Sequence, residues 1–145
     1  MSRLEPVRKL KATDAVESFD CGQVALNQFL QRHALNNQRA NSAQTYVCCD
    51  GEAVVGFYSL TVGRVDHPSA PERVAKGLAR HPVPVMILAR LAVDQSFQGN
   101  GLGRALLKAA LRRTLLAADI AGIRAVLVHA KDDEAREWYR KFDFK

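Results

Sequence analysis

A buried-strand pattern that leads through a glycine-rich turn into a helix constrains the fold of this chain more than any other feature. Residues Val83–Val93 are apolar except at Pro84 and Arg90, which is typical of a strand covered on both faces. Residues 94–103 follow as a glycine-rich turn, and the apolar spacing over 102–118 indicates a helix. A strand, a turn and a helix in this order predict an α/β fold.

The other patterns add shorter elements around this unit and predict a single domain over residues 1–145. Strands are expected over 7–10, 45–49, 54–65 and 123–129, and further helices over 24–36 and 132–142. Asp50-Gly51 predicts a hairpin turn, residues 66–81 a long polar loop, and Asp132 a cap on the last helix. Without an internal repeat or a linker, we expect a mixed central sheet flanked by helices.

Composition and charge narrow the class of protein. The 145 residues are 48% hydrophobic and 25% charged, as in a globular domain long enough to have its own core. No run of about eighteen apolar residues exists, and the charged N-terminus lacks the apolar core of a signal peptide. We therefore expect a cytoplasmic protein without a membrane segment. The net charge of +6 favours a polyanionic partner, either a nucleic acid or a phosphate-rich cofactor.

The cysteines and histidines show no metal-ligand spacing, and no metal is expected. Cys21, Cys48 and Cys49 are expected to be reduced, buried side chains, because the chain has no CxxC pair and no signal peptide. Since residues 48 and 49 are neighbours on a strand, their side chains should point to opposite faces. His129, at the end of a predicted strand, has two interpretations, a catalytic base or an interior histidine, and the second is favoured.

The turn from Gln98 to Arg104 has the chemistry of a phosphate site. Its glycines let the backbone approach a ligand closely, and the first N–H groups of the following helix have no partner within the helix. The Walker A pattern GxxxxGK[ST] is absent, and Arg104 stands where a dinucleotide-binding fingerprint needs glycine. A tight turn whose glycines only serve packing is the alternative that the turn alone leaves open.

The string Gln98-x-x-Gly101-x-Gly103, after Arg90-Leu91-Ala92-Val93-Asp94, resembles the signature of the GNAT acetyltransferase superfamily. The resemblance implies acetyl-CoA as co-substrate. It implies that its pyrophosphate contacts the turn, at Gln98, Gly99, Asn100, Gly101, Leu102, Gly103 and Arg104. The pantetheine arm would pair with Leu91, Ala92 and Val93, and an N–H of that strand, with Val93 the first choice, would bind the oxyanion.

Further segments resemble the TacT-type toxins of toxin–antitoxin pairs. They are Phe19-Asp20-Cys21-Gly22, Leu26-Asn27, Phe29-Leu30, residues 55–60 (VGFYSL), residues 87–94 (ILARLAVD) and Trp138-Tyr139. This resemblance implies acetylation of the α-amine of aminoacyl-tRNA, a ribbon–helix–helix antitoxin and a homodimer. Acetylation of protein N-termini or small amines is the alternative, and a binding module for CoA or nucleic acid without activity is a third.

Two departures from that group lie at the C-terminus. Asp143-Phe144 stands where the group usually has Gly-Phe. The sequence stops at Lys145, where the group has at least one further strand. We therefore expect either that a C-terminal strand is missing from this chain or that the sheet is completed in another way.

Tyr139 is the candidate catalytic residue. The resemblance implies that a tyrosine on the last helix gives a proton to the departing thiolate, and Tyr139 occupies that position. The alternative is packing, because Ala135, Trp138, Tyr139 and Phe142 form one apolar stripe. No acidic residue stands out as a base. An α-amino group with a pKa near 7.7–8.0 needs less help than a lysine, which mildly favours an α-amine acceptor.

Basic residues could hold RNA phosphates near this site. Arg104, Lys108 and Arg112 recur along one side of the helix after the turn, while Arg64, Arg73, Lys76 and Arg80 lie in or beside the long loop. A solvated helix face is the alternative for the stripe. No sequence-reading nucleic-acid motif is present, so any binding would be electrostatic.

Overall fold

A five-stranded mixed sheet lies at the centre of the residues that the computed structural model describes, which are 4–65, 83–129 and 133–142. The strands are β1 Arg8–Lys9, β2 Gln44–Asp50, β3 Ala53–Val65, β4 Val83–Val93 and β5 Val126–Val128. They lie side by side in chain order, and neighbours are antiparallel except for the parallel pair of β4 and β5. The mixed sheet and the limits of β4 confirm the predictions.

The hairpin between β2 and β3 forms at Asp50-Gly51, as predicted. Asp50 pairs with Ala53 at its mouth, and Gly51 has a φ of +64°, which a residue without a side chain adopts at little cost. The long β3 continues past β2 and pairs with β4 along its length. The hairpin therefore sets the register of the central strands.

Four α-helices flank this sheet in the described segments. They are α1 Val24–Gln28, α2 Ala34–Arg39, α3 Leu102–Ala121 and α4 Asp133–Arg140. A π-helical turn over Phe29–His33 joins α1 to α2, which the sequence pattern did not predict. The wider turn places Phe29, Leu30 and Ala34 together against the sheet, and all three are buried.

Each face of the sheet has its own core. The helix α3 covers one face with Leu102, Leu106, Leu107 and Ala110, against Tyr58, Leu60, Leu88 and Val93. The segment α1–α2 covers the other face with Phe29, Leu30 and Ala34, against Val47, Phe57 and Ala92. Cys48 belongs to the first core and Cys49 to the second, so the prediction of opposite faces is confirmed. A Cβ atom on Gly56 would lie 2.9 Å from Leu106, so glycine there lets α3 approach β3 closely.

The sheet opens into a fork between β4 and β5. The parallel pairing covers only Met86–Leu88 of β4, and the last bond is the His129 N–H to the Leu88 carbonyl at 3.0 Å. The prediction of a strand over 123–129 was too long, because the structure limits β5 to Val126–Val128; Arg124 and Ala125 only make single backbone bonds to β4 before the strand begins. A register shift opposite Ser59 and Leu60 leaves Ala89 as an extra residue on β4. Such a bulge bends a strand and redirects its side chains.

Several predictions fall outside the described residues. These are the loop over 66–81 with Arg73, Lys76 and Arg80, the cap at Asp132, and the C-terminal Asp143, Phe144 and Lys145. In the segments that are described, no helix is both long and apolar enough to cross a membrane.

Candidate active site

A cleft of about 790 Å³ opens at the fork of the sheet. Its walls come from β4, the glycine turn, the start of α3, the inner side of α4 and the loop before α1. The lining residues include Cys21, Gln23, Leu26, Ala89, Arg90, Leu91, Ala92, Val93, Gln98, Gly99, Gly101, Gly103, Arg104, His129, Glu134, Glu137, Trp138 and Tyr139. The fork thus gathers eight of the ten residues predicted to bind the cofactor, together with the candidate catalytic tyrosine.

The end of β4 presents backbone groups to the open side of the fork. The Asp94 N–H donates to the Val55 carbonyl at 2.8 Å, so residue 94 directs its backbone toward β3. Along an antiparallel strand, the backbone N–H and C=O groups of successive residues point to opposite sides. The backbone groups of Ala92 therefore also point to β3, whereas those of Leu91 and Val93 point to the fork. An extended ligand could therefore pair with Leu91 and Val93, whereas Ala92 offers its surface but not its N–H.

The glycine turn directs backbone N–H groups outward at the start of α3. Gly99 and Gly101 have φ values of +81° and +84°, in the left-handed region that favours glycine. Gly101 caps α3, and the first bond within the helix runs from the Ala105 N–H to the Gly101 carbonyl at 3.1 Å. The N–H groups of residues 102–104 thus precede the helical hydrogen-bond ladder and, with the helix dipole, favour phosphate oxygens.

The remaining members of the predicted cofactor set have different positions. The side chain of Leu102 is buried in the core under α3. Asn100 is exposed in the turn, outside the cleft lining, and Arg104 is exposed at its rim. Any contact of Leu102 with a ligand would therefore be through its N–H.

Gln98 turns its side chain inward. Its amide nitrogen donates to the carbonyl oxygens of Val93, at 2.8 Å, and Cys21, at 3.0 Å. Asp94 reinforces this junction by accepting a bond from the Asp20 N–H at 3.0 Å, and the Gln95 N–H donates to the Asp20 carbonyl. Sequence reasoning assigned no structural role to these contacts, which fasten the loop before α1 to the glycine turn.

Tyr139 lies on α4, packed in the core and lining the cleft at the same time. Only 7% of its surface is exposed, and its ring meets Trp138 edge-on with centroids 5.0 Å apart. A Cβ atom on Gly103 would lie 3.4 Å from Trp138, so α4 packs directly on the start of α3. Burial raises the pKa of Tyr139 to about 12, which keeps the phenol protonated near neutral pH. Tyr139 therefore packs in the core and also lines the cleft, so its packing does not contradict a catalytic role.

Other ionisable residues complete the walls. His129 is exposed and lines the cleft, so its interpretation as an interior histidine was wrong, and a role as a base stays a hypothesis. Glu137 lines the cleft and accepts a bond from Arg140 at 2.7 Å. Arg90 lines it too, a position that sequence reasoning passed over because the residue interrupts an apolar run. From Arg104 at the cleft rim, the predicted exposed stripe continues outside the cleft along α3 through Lys108 and Arg112.

Comparison with known protein families identifies the family of this chain. Residues 41–145, which include β2–β5, the glycine turn and α4, match the acetyltransferase (GNAT) domain family. The chain belongs to the GNAT acetyltransferases. It is an acetyl-CoA-dependent acetyltransferase, and its turn and the fork-facing groups of β4 fit a ligand with a diphosphate and an extended arm.

Three relatives show how far the likeness extends. The acetyltransferase is 45% identical to the tRNA-acetylating toxin of Mycobacterium tuberculosis strain H37Rv, over all of this chain and 87% of the relative. The solved structure of AtaT complexed with acetyl-methionyl-tRNAfMet superposes with a TM-score of 0.89 at 28% identity, covering 99% of this chain and 87% of that one. A mutant AtaT bound to acetyl-CoA and the C-terminus of the antitoxin AtaR gives 0.83 at 29% identity, covering 97% and 84%.

Proposed function

We propose that this acetyltransferase is a toxin that acetylates the α-amino group of aminoacyl-tRNA and so blocks translation. The observation that carries the proposal is the mycobacterial relative, which is named for tRNA acetylation and is similar over the whole chain. We further propose that residues 1–145 act as one catalytic domain. The cleft supports both, because it joins the turn on one face of the sheet to residues of α1 on the other.

The chain would hold acetyl-CoA through backbone groups. The N–H groups at the start of α3 would bind the diphosphate, with Arg104 adding a charge at the rim. Leu91 and Val93 would pair with the extended arm, and the Val93 N–H would stabilise negative charge on the acetyl oxygen. When bound, acetyl-CoA supplies an activated acetyl group. The role of Gln98 is then to fix the turn against β4, since its amide is occupied within the protein.

Tyr139 would act as the hydrogen-bond donor to the leaving sulfur. Its pKa of about 12 keeps the proton in place, but a thiol titrates near 8.5. Complete proton transfer from this phenol to a thiolate would therefore be uphill. We infer that Tyr139 stabilises the developing thiolate by donating a hydrogen bond. It would give its proton to the sulfur only as it receives the proton that the attacking amine loses.

An α-amine acceptor suits a cleft in which no general base is assigned. The α-amino group titrates near 7.7–8.0, so much of it is neutral at physiological pH, whereas a lysine would be almost fully charged. RNA would be held by charge, with the stripe formed by Arg104, Lys108 and Arg112 facing the phosphates. The alternative acceptors, protein N-termini and small amines, need no such stripe.

We also propose the partners that the resemblance implies. A ribbon–helix–helix antitoxin would neutralise the toxin, which is supported by the structure of AtaT with the C-terminus of AtaR. The toxin would act in the cytoplasm, where charged tRNA is found, and as a homodimer. Size-exclusion chromatography with light scattering, alone and after co-expression with the neighbouring reading frame, tests both assemblies.

Transfer of labelled acetyl from acetyl-CoA to a charged tRNA pool tests the activity. We expect label in an alkali-labile aminoacyl fraction with the wild type and a loss of at least about a hundredfold with Tyr139→Phe. The variant should still bind acetyl-CoA, because the ring and its packing remain. If the wild type binds acetyl-CoA but labels no tRNA, the acceptor is a protein or a small amine, and both should then be assayed.

A further inference from the structure

Arg90 is a partly buried cation in the cleft wall, outside the set of residues proposed to hold acetyl-CoA. Its guanidinium carbon lies 3.8 Å from the centroid of the Phe29 ring, so the cation lies over the aromatic face. Desolvation lowers the pKa of Arg90. Within residues 4–65, 83–129 and 133–142, the ion pairs involve other arginines. A desolvated cation without a matching anion costs stability and is typical of a ligand site.

Arg90 is the last member of a polar row that crosses the sheet. Thr45 pairs with Ser59, and Ser59 pairs with Arg90, so the three side chains share one face. The hydroxyls of Thr45 and Ser59 are fully buried and have no hydrogen-bond partner in the described part of the chain. Around them the same face is packed with aromatic and aliphatic side chains.

The face that carries Arg90 is opposite to the face of the cofactor turn. Leu91 and Val93 belong to the core under α3, the helix that begins at the glycine turn. Arg90 points to the other face, where Phe29 is held by the π-helical turn. The cleft reaches both faces through the fork. A ligand bound at Arg90 therefore enters from the side of α1, away from the N–H groups that favour the cofactor diphosphate.

We propose that Arg90 binds a phosphate group of the acceptor, the one attached to the terminal nucleoside that carries the amino acid. This inference rests on the proposed function, and it adds a specificity residue for a nucleotide acceptor. Contact with the Phe29 ring holds the guanidinium in the cleft wall, where its N–H groups can bind two oxygens of one phosphate. The hydroxyl of Ser59 lies beside Arg90 in register but makes no hydrogen bond to the guanidinium, so it does not compete with a phosphate for the N–H groups.

A phosphate suits this position better than other oxygen groups of the acceptor. The carboxyl of an amino acid on tRNA is an ester and carries no charge, so it would leave Arg90 uncompensated. The nearest anion is the phosphate one ribose away from the reacting ester. A free amino acid or a small amine lacks it, and Arg90 would then favour a charged tRNA over those acceptors.

Two stable acceptor analogues test the proposal. They are 3′-aminoacylamino-3′-deoxyadenosine and its 5′-phosphate, used as competitors of charged tRNA in the labelled-acetyl assay. With the wild type, we expect the 5′-phosphate to lower the inhibition constant by about tenfold or more. In Arg90→Gln the two inhibition constants should agree within about twofold, and Arg90→Lys should restore part of the difference. Ser59→Ala, with Arg90 intact, should keep most of it.

The dissociation constant of acetyl-CoA shows that each variant is folded and places Arg90 relative to the cofactor. We expect it to change less than about twofold in Arg90→Gln. Equal inhibition by the two analogues with the wild type would overturn the proposal, as would an unchanged phosphate preference in Arg90→Gln. A wild type that acetylates no charged tRNA would instead contradict the proposed function. A large loss of acetyl-CoA affinity in Arg90→Gln would assign the residue to the cofactor.

Discussion

The side-chain amide of Gln98 donates a hydrogen bond to the backbone carbonyl of Val93, 2.8 Å away, and so fastens the glycine turn to the end of β4. The same nitrogen donates to the carbonyl of Cys21 at 3.0 Å. One amide group therefore joins the cofactor turn, the central strand and the loop before α1. The mutual position of these parts depends on a donor at residue 98.

Gln98→Glu should weaken both folding and acetyl-CoA binding. The substitution keeps the size of the side chain but turns a carboxylate oxygen toward two carbonyl oxygens. Losing both bonds and adding this repulsion should lower the free energy of unfolding by about 2–4 kcal/mol. Denaturant unfolding and calorimetric titration with acetyl-CoA measure the two effects. Gln98→Met removes the donors without adding charge, so its stability and acetyl-CoA affinity should lie between those of the wild type and Gln98→Glu. If Gln98→Glu behaves like the wild type, the amide of Gln98 does not hold the turn in place.

Much of this fold could be predicted because its signals are local. The apolar run of β4 and the Asp50-Gly51 hairpin depend on residues next to each other in the chain. The fork could not be predicted, since it is set by where β4 leaves β5, and the pattern of apolar residues along either strand does not show where their pairing ends. The π-helical turn was also missed, because the spacing of Phe29 and Leu30 fits an α-helix equally well.

The site was predicted in its backbone positions more than in its side chains. The turn at Gly99 and Gly101 follows from a recognisable string. Leu102 points into the core because of where its position falls around the axis of α3. The N–H of Ala92 is used within the sheet because β4 pairs with β3 there. The importance of Arg90 depends on Phe29, sixty-one positions earlier in the chain. Such a contact is visible only after folding.

Gly101→Ala should disturb the cofactor turn through the backbone alone. No atom lies within 4 Å of the place where the new Cβ would be, but the φ of +84° disfavours any side chain, at a cost of about 1–2 kcal/mol. If the turn relaxes to a negative φ, the N–H groups at the start of α3 will turn away from the diphosphate. We expect acetyl-CoA to bind at least about fivefold more weakly.

Gly51→Ala is the matched control for that variant. Gly51 also has a positive φ, +64°, and open space around it, but it lies in the β2–β3 hairpin and not in the cleft lining. The Gly51→Ala variant should lose about as much free energy of unfolding as Gly101→Ala but bind acetyl-CoA with the affinity of the wild type. Equal affinity losses in both variants would mean that general destabilisation, not the turn, explains the effect.

The ion pair between Arg8 and Asp14 should make stability fall in acid. The guanidinium donates two bonds to the carboxylate, at 2.7 and 2.9 Å, and these bonds hold the pKa of Asp14 below its usual range. A lowered folded-state pKa contributes stability above the unfolded value, near 3.9, and this contribution is lost as the pH falls through the folded value.

Asp14→Asn should therefore cost stability at neutral pH but not in strong acid. We expect a loss of about 2 kcal/mol at pH 7 that shrinks as the wild-type carboxylate becomes protonated below about pH 4. Urea unfolding at several pH values measures this difference. Asp119→Asn, at an exposed position of α3, is the control for removing one carboxylate outside the ion pair. A constant difference between Asp14→Asn and the wild type would reject the ion pair as its cause.

The exposed stripe on α3 should control the salt dependence of tRNA binding. Lys108→Gln and Arg112→Gln each remove one positive charge without touching the cleft lining. If these residues contact phosphates, each change should reduce the slope of log affinity against log salt by roughly one, while acetyl-CoA binding stays constant. Arg39→Gln, an exposed position at the end of α2 on the other face of the sheet, provides the control. An unchanged slope in both stripe variants, together with normal acetyl transfer to tRNA, would mean that the stripe is only a solvated helix surface and that RNA binds elsewhere.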